Sequence, residues 1–229
     1  MTLNEMIFHR KSCRSFIGKS VDAESIEKIL SFEMKPLYPE IKVHMDIVGR
    51  DMVKCICPWT TSQLIAIYSE EAEGYMENIG FLFQQMDLYL QTLGLGACWL
   101  GMGRMNPKTT ERVDGMKFVI MLAFGHPKGD QLRHDLKGLK RKSMKQISDT
   151  PDPRLESARL APSAVNSQPW YFTHEGDIIH VHCNKKGSPL DAGIALAHLY
   201  VANKENFVFL KAENVSEISG YGYIGSVTL

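Results

Sequence analysis

The sequence predicts an α+β (alpha+beta) fold in which mixed or antiparallel sheets pack against long apolar central helices. Helical and strand patterns both occur along the 229 residues, and they do not alternate regularly. A second observation is the helical segment 74–94, which is apolar on more than one face. A third is another apolar helix over residues 191–203. Helices of this kind are expected at the centre of a body made of two halves or two subunits.

The elements of the first 139 residues follow from apolar spacing and turn residues. In chain order they are helices at 3–9 and 22–32, strands at 42–49 and 62–69, a helix at 74–94, a helix near 107–113 and a strand at 117–127. Asp22 is the predicted N-cap of the second helix. The main stripe of the long helix is Ile79, Leu82, Phe83, Met86, Leu90 and Leu93, with Phe81, Leu88 and Tyr89 on a second face.

Residues 140–229 repeat this order of elements in a degenerate form. They are predicted to form a helix at 153–160, strands at 170–174 and 178–183, the helix at 191–203, and strands at 206–212 and 220–229. Segments 9–30 and 140–160 both begin with a basic-Ser sequence and continue through a turn into a short helix. The chain is therefore predicted to consist of two unlike halves, 1–139 and 140–229.

Composition limits the classes of function. Twenty-six Lys and Arg balance 26 Asp and Glu, so no overall field attracts nucleic acid or an anionic membrane. No apolar stretch approaches membrane-spanning length, and a cytoplasmic location is expected. The five cysteines are expected to be reduced, and their spacing gives no metal site. His180 and His182 alternate onto one strand face, which we expect to be exposed to solvent.

Four segments carry the chemistry: RKSCRSF (10–16), GLGACWLG (94–101), FVIMLAFGHP (118–127) with the basic LKRKS after it, and ARLAPSAVNSQPWYF (158–172). Together they resemble the FMN-dependent nitroreductase family. The last segment lies in the second half, unlike its place in an ordinary family member. In this respect the chain is similar to the branch in which one chain carries two degenerate copies and mimics the usual dimer.

The resemblance implies a nitroreductase-like fold with an internal pseudo-dimer and FMN as cofactor. NADH or NADPH would be the co-substrate, and a nitroaromatic, a quinone or a related small molecule would be the electron acceptor. Ping-pong hydride transfer is implied, with the flavin carrying the chemistry and no catalytic side chain. One flavin per chain is expected between the halves, in a monomeric pseudo-dimer or a homodimer.

The opening motif is predicted to hold the FMN phosphate. Arg10 and Ser12 supply a guanidinium and a hydroxyl, and Lys11 is a neighbouring cation. Arg14 is expected at the pyrimidine end of the ring, where a cation favours reduction. A simpler interpretation of RKS is a helix end that carries basic residues against the dipole.

Two further segments are predicted to contact the cofactor. Lys140 and Arg141 are expected to reach the phosphate from the other side, although residues 128–143 also read as a solvated basic linker. A main-chain N–H near Leu100 or Gly101 is expected to face the ring nitrogen that bears the hydride, and the glycines would permit close approach. Trp99 either covers the ring or lies in the core.

The PSAVNSQ loop is predicted to hold the ring edge. Pro162 stiffens the backbone, and Ser163 and Ala164 keep the surface low enough for a flat ring. Asn166 offers both a donor and an acceptor, and Gln168 is expected to support it. Two other functions remain open: a flavin-binding protein without turnover, and a degenerate scaffold protein.

Overall fold

The computed structural model describes residues 1–57, 61–106 and 112–229. Most of the helix predicted near 107–113 lies outside the described residues. Its last two positions form a strand, so that part of the prediction is wrong. Val113 pairs with Met116 across an Asp114-Gly115 turn in which both residues have positive φ. Asp-Gly is a typical pair for a two-residue hairpin, and this local preference replaces the helix.

The chain divides into two compact units. Unit 1 comprises Met1–Tyr75 and Met86–Asp135, and unit 2 comprises Met76–Gln85 and Leu136–Leu229. The long helix is continuous, yet its first half is counted with unit 2 and its second half with unit 1. In the described part of the chain, no helix has both the length and the apolar character needed to cross a membrane.

Unit 1 is built around an antiparallel sheet. Its helices are α1 (Leu3–His9), α2 (Ala23–Leu30) and the second half of α3 (Tyr75–Thr92). Its strands are β1 (Val43–Gly49), β2 (Val53–Lys54), β3 (Gln63–Ser69), β4 (Gly96–Leu100), β5 (Arg104–Met105), β6 (Arg112–Val113) and β7 (Met116–Gly125). The sheet order is β1-β3-β7-β4, with β6 also on β7 and a separate β2–β5 pair. The Asp22 side chain accepts the Ser25 N–H, which confirms the predicted N-cap of α2.

Unit 2 contains a second antiparallel sheet. Its helices are α4 (Met144–Ile147), α5 (Glu156–Arg159) and α6 (Pro189–Ala202), with the first half of α3. Its strands are β8 (Trp170–Glu175), β9 (Ile178–Asn184), β10 (Val208–Leu210) and β11 (Tyr221–Thr228), in the order β10-β11-β9-β8. Single-turn 3-10 helices lie at Pro153–Leu155 and Ala164–Asn166. The predicted α+β class with antiparallel sheets is confirmed.

Two glycines set the approach of α3 to α6 inside unit 2. A Cβ built on Gly80 would lie 2.0 Å from the Leu190 carbonyl oxygen, and one on Gly193 would lie 2.0 Å from the Glu77 carbonyl oxygen. Both distances are far inside van der Waals contact, so neither position accepts a side chain without separation of the helices. The two helices that are apolar in sequence are thus packed backbone against backbone.

Candidate functional site

In unit 1, the RKSCRSF segment lies along the edge strand β4. Ser12 forms a parallel bridge with Ala97, and the Cys13 N–H donates to the Ala97 carbonyl oxygen at 2.9 Å. The motif therefore extends the sheet by a short parallel segment. Two of the four segments singled out in the sequence, RKSCRSF and GLGACWLG, are neighbours through main-chain hydrogen bonds.

Gly96 permits this close approach. A Cβ at Gly96 would lie 2.5 Å from the Cys13 Sγ, so a larger residue would push the motif off β4. Gly94 has a different role: it follows the end of α3 with φ +76°, a conformation that glycine adopts without strain. The fold therefore requires glycine at position 96 for close packing and favours it at position 94 for its backbone conformation. Around Gly101 a Cβ would meet no atom within 4 Å.

The segment that follows β7 holds the other side of the motif. The Ile17 N–H donates to the His126 carbonyl oxygen, and the Lys128 N–H donates to the Ser15 carbonyl oxygen at 2.9 Å. Farther along, the Arg133 N–H donates to the carbonyl oxygen of His9 at 2.7 Å. FGHP and the start of the basic stretch are therefore part of the same structure, and residues 128–133 are not a free linker.

Arg10 points into the body of unit 1. Its side chain is 1% exposed, and its Nε lies 2.8 Å from Asp87 Oδ2 in a fully buried ion pair. An Arg10 terminal nitrogen also donates to the Ser12 Oγ at 3.2 Å. Arg10 thus has its charge balanced within unit 1 and orients the Ser12 hydroxyl. A direct phosphate contact by Arg10 stays a prediction.

A second side chain of α3 fixes the backbone of the motif. Gln91 accepts the Lys11 N–H on its Oε1 at 3.1 Å and donates from Nε2 to Asp87 Oδ1 at 3.3 Å. Asp87 and Gln91 are four residues apart on α3, so they lie on the same face of the helix. From that face they contact Arg10 and Lys11, two consecutive residues of the motif. Sequence reasoning missed both, because they sit within the apolar pattern of α3. Their only signal was two polar residues spaced at i, i+4 in that pattern.

The other predicted site residues of unit 1 differ in their exposure to solvent. Lys11 and Arg14 are exposed, and Ser12 and Trp99 are half-buried. Leu100 is buried at the end of β4, and Gly101 is exposed in the turn that follows. Burial raises the pKa of the Cys98 thiol to about 11, although the nearby charges of Arg14 and Arg10 act in the opposite direction.

In unit 2, the predicted loop rises from a buried base. Ala161, Pro162, Gln168 and Trp170 are buried, whereas Ala164–Ser167 are exposed. Val165, Asn166 and Gln168 all have positive φ, at 47°, 58° and 47°. Positive φ in a β-branched residue is unusual, and backbone strain of this kind clusters at functional sites.

The LKRKS segment is hydrogen-bonded to the loop. Arg141 donates to the Asn166 Oδ1, and the Asn166 Nδ2 donates to the Lys140 carbonyl oxygen at 2.7 Å. Arg141 also donates to the carbonyl oxygen of Leu160 at 3.3 Å. Two predicted cofactor contacts, Arg141 and Asn166, are therefore brought together within unit 2. Lys140 contributes through its backbone, and its side chain is exposed.

Gln168 supports Asn166 as predicted in the sequence. Its Nε2 donates to the Asn166 carbonyl oxygen at 3.0 Å, and its Oε1 accepts the Lys142 N–H at 2.7 Å. Its own N–H donates to the Ser163 Oγ at 2.8 Å. With only 4% of its surface exposed, Gln168 is an internal brace of the loop, and its predicted direct contact with the cofactor stays a prediction.

A family model described as "Putative TM nitroreductase" matches residues 2–203 of the chain. The chain belongs to this nitroreductase family. All four segments described above lie inside the matched range. Membership makes the chain an oxidoreductase in the general sense and confirms the nitroreductase resemblance.

One solved structure supports the nitroreductase fold, and two others have lower similarity. A "putative nitroreductase" from Thermotoga maritima MSB8 has a TM-score of 0.69 at 20% identity, over 99% of this chain and 92% of that one. A putative NADH dehydrogenase/NAD(P)H nitroreductase from Bacteroides thetaiotaomicron VPI-5482 has a TM-score of 0.49 at 17% identity, over 63% and 95%. An FMN-dependent nitroreductase from Clostridium difficile R20291 has a TM-score of 0.45 at 17% identity, over 61% and 98%. No curated protein matches the chain.

The histidine face of β9 corrects a prediction. His180 and His182 are 5% and 2% exposed, so the expected solvent exposure is wrong. His180 Nδ1 hydrogen-bonds the Ser226 Oγ at 2.7 Å, and His182 Nε2 hydrogen-bonds the Thr173 Oγ1 at 3.1 Å. Polar residues of the neighbouring strands are hydrogen-bond partners for these two ring nitrogens, which is how a polar face becomes buried. Among the described residues, no cluster of three or more His, Cys, Asp or Glu is placed to hold a metal ion.

Proposed function

We propose that the chain is an FMN-dependent NAD(P)H oxidoreductase of nitroreductase type, with a nitroaromatic, a quinone or a related small molecule as acceptor. The observation that carries this proposal is the assembly of RKSCRSF on the GACWL strand of unit 1, inside a chain that belongs to the nitroreductase family. When bound, FMN would take hydride from NADH or NADPH and pass it on in ping-pong order.

The donor set of unit 1 suits a phosphate. The Ser12 hydroxyl is oriented by Arg10, and the side chains of Lys11 and Arg14 are exposed beside it. A phosphate group with close to two negative charges is stabilised by hydroxyl and cationic donors of this kind. We therefore assign phosphate binding to Ser12 and Lys11, and electrostatic tuning of the ring to Arg14. Arg10 acts on the phosphate through Ser12.

The donor set of unit 2 suits the polar edge of a flat ring. Asn166 is exposed, held in place by Arg141 and Gln168, and able to accept or donate further hydrogen bonds. Ala164 and Ser163 beside it are small. The pseudo-dimer interpretation, in which both donor sets serve a single flavin, is part of this proposal and predicts one FMN per chain.

The test is a visible absorption spectrum of the purified protein with a flavin stoichiometry. We expect a yellow protein with a single FMN per chain, bleaching by NADH or NADPH without oxygen, and recovery of colour with a nitroaromatic. A protein that takes up no FMN would refute the proposal. Uptake of FMN without bleaching by either nucleotide would favour the second function, flavin binding without turnover.

A pair of variants tests the phosphate assignment. Ser12→Ala removes the oriented hydroxyl and should weaken FMN binding about tenfold, the value of one charge-assisted hydrogen bond. Ser15→Ala is the matched control, because Ser15 is exposed in the same segment and contributes its carbonyl oxygen to the fold. Equal FMN affinities for the two variants would contradict the assignment.

A further inference from the structure

The carboxylate of Asp191 lies beneath the exposed loop of unit 2. Asp191 is in the first turn of α6 and is 3% exposed. Its Oδ1 accepts the Ala164 N–H at 3.1 Å. Its Oδ2 is buried and has no hydrogen-bond partner among the residues that the structure describes.

This environment is unusual for a carboxylate. Buried charges are normally paired with a cation or surrounded by donors, because loss of hydration is costly. The position near the N-terminus of a 14-residue helix offsets part of that cost through the helix dipole. A neutral side chain of the same shape would avoid the rest. The carboxylate at this site is therefore a candidate for a role that depends on its charge.

The contact with Ala164 suggests that role. Ala164 begins the exposed turn that carries Asn166, and Val165 between them has φ 47° and is 97% exposed. The backbone of the turn is strained, so contacts at its base must hold it in this conformation. The bond from the Ala164 N–H to Asp191 joins the start of the strained turn directly to the helix below it.

We propose that Asp191 is a positioning residue which, while ionised, holds the 163–168 loop in its strained conformation, and that protonation loosens the loop and weakens its grip on FMN. The hydrogen bond to a carboxylate is stronger than that to a neutral carboxyl group, so the change in charge is a change in the strength of the anchor. The part that concerns FMN rests on the proposed function. The part that concerns the loop does not.

Of Asp191 and the Cys183 thiol near it, Asp191 is the group that changes charge between pH 5 and 8. Burial raises the pKa of the Asp191 carboxyl to about 6, against an ordinary value of 3.8, and the bond from Ala164 opposes that rise. Cys183 of β9 faces it, and burial together with the charges of Asp191 and Glu77 raises the pKa of its thiol to about 12. Cys183 is therefore neutral from pH 5 to 8. The carboxylate of Glu77 in α3 also acts on the Cys183 thiol.

The direct test is the amide resonance of Ala164 in the flavin-free full-length protein, followed by NMR from pH 4.5 to 8. In the wild type we expect its shift to titrate with a midpoint near pH 6 and its hydrogen exchange to be less protected below that pH. Asp191→Asn keeps an acceptor of the same shape without the charge, so we expect its Ala164 amide to show no such titration and to be protected no better than that of the wild type below pH 6. Asp177→Asn, an exposed carboxylate of the same unit, is the matched control and should titrate like the wild type.

FMN affinity is the second readout. The flavin phosphate also titrates near pH 6, so the quantity to compare is the pH dependence of the wild type minus that of Asp191→Asn. We expect the wild type to lose about fivefold more affinity than the variant between pH 7.5 and 5. Asp191→Ala removes the acceptor and should weaken binding at every pH in this range.

Three results are decisive. An Ala164 amide that does not titrate, or one that titrates equally in Asp191→Asn, would overturn the proposal even if FMN binds well. The Ala164 amide could titrate while the FMN affinities of the wild type and Asp191→Asn depend equally on pH. That result would overturn the link to the cofactor. Titration of Ala164 in a protein that binds no FMN would refute the proposed function and uphold Asp191 as the anchor of the loop.

Discussion

Two buried aspartates anchor the two predicted flavin-binding segments, and they do so differently. Asp87 in unit 1 is 0% exposed, contacts Arg10 at 2.8 Å and accepts from Gln91 at 3.3 Å. Asp191 in unit 2 is 3% exposed and accepts a single backbone N–H. Because the motif of unit 1 supplies the cation that balances its own anchor, its position is fixed by charge pairing. The loop of unit 2 supplies only an N–H, so its position depends on the ionisation of the carboxyl group.

The largest expected effect comes from breaking the paired anchor. Asp87→Ala leaves the Arg10 guanidinium buried without its counter-charge, so we expect the free energy of unfolding to fall by about 3–5 kcal/mol in urea titrations. The double variant Arg10→Met with Asp87→Leu removes both charges and should recover most of that loss. A single variant that loses less than about 1 kcal/mol would show that the pair is not the anchor of the motif.

Removal of the unpaired charge of Asp191 should change the free energy of unfolding in the opposite direction. Asp191→Asn eliminates a buried charge while keeping an acceptor for Ala164, so we expect it to increase the free energy of unfolding above pH 6. The folded-state pKa of about 6 against 3.8 sets an upper value of about 3 kcal/mol, at about 1.4 kcal/mol per pKa unit.

The pH dependence follows from the same raised pKa. Below about pH 4 the Asp191 carboxyl is protonated in the folded and the unfolded chain and adds no pH dependence. Between about pH 4 and 6 the unfolded chain loses the proton first, so the free energy of unfolding falls as pH rises. Above pH 6 the loss is constant. Urea titrations at pH 4, 5, 6 and 7.5 check this, and a variant that tracks the wild type at all four values would contradict it.

A steric change next to Asp191 tests how far its anchor depends on the packing of α6. Gly193→Ala would place a Cβ about 2 Å from the Glu77 carbonyl oxygen, and we expect destabilisation of about 1–3 kcal/mol. Gly222→Ala in β11 of the same unit is the control, because its nearest atom would be 4.0 Å away. Thermal unfolding measures both, and equal melting temperatures would show that α3 and α6 separate at little cost.

The smallest expected effect is relief of backbone strain in the loop. Val165→Gly accommodates φ 47° without strain, and we expect the free energy of unfolding to rise by about 1 kcal/mol. The RKSCRSF segment has no residue with positive φ, so it offers no comparable gain. Val208→Gly, also exposed but in strand β10, is the control and should destabilise. A loss of stability in Val165→Gly would show that the loop is unstrained.

The periodic parts of the fold were accessible from the sequence. The helix predicted over 74–94 is α3 (Tyr75–Thr92), and the strand predicted over 62–69 is β3 (Gln63–Ser69). Both signals are local, since apolar spacing and turn residues determine them. The short strand pair β2–β5 was missed, because two residues that pair across a long separation leave no local pattern.

The candidate site was accessible only in part. The segments RKSCRSF and PSAVNSQ stand out by residue type, and Gln168 was correctly expected to support Asn166. Asp87, Gln91 and Asp191 were missed, because a polar residue inside an apolar helix gains its role from a segment distant in sequence. The error at His180 has the same origin, since its partner Ser226 lies 46 residues away.

The sequence by itself determined the class of fold, the order of the helices and strands, and the residue types that suit a phosphate and a flat ring. These properties depend on spacing along the chain and on side-chain chemistry. The tertiary structure decided which polar groups are already paired: Arg10 with Asp87, Asn166 with Arg141, and Ala164 with Asp191. Burial and pairing depend on distances between remote residues, and the energy of a charged group is set by those distances.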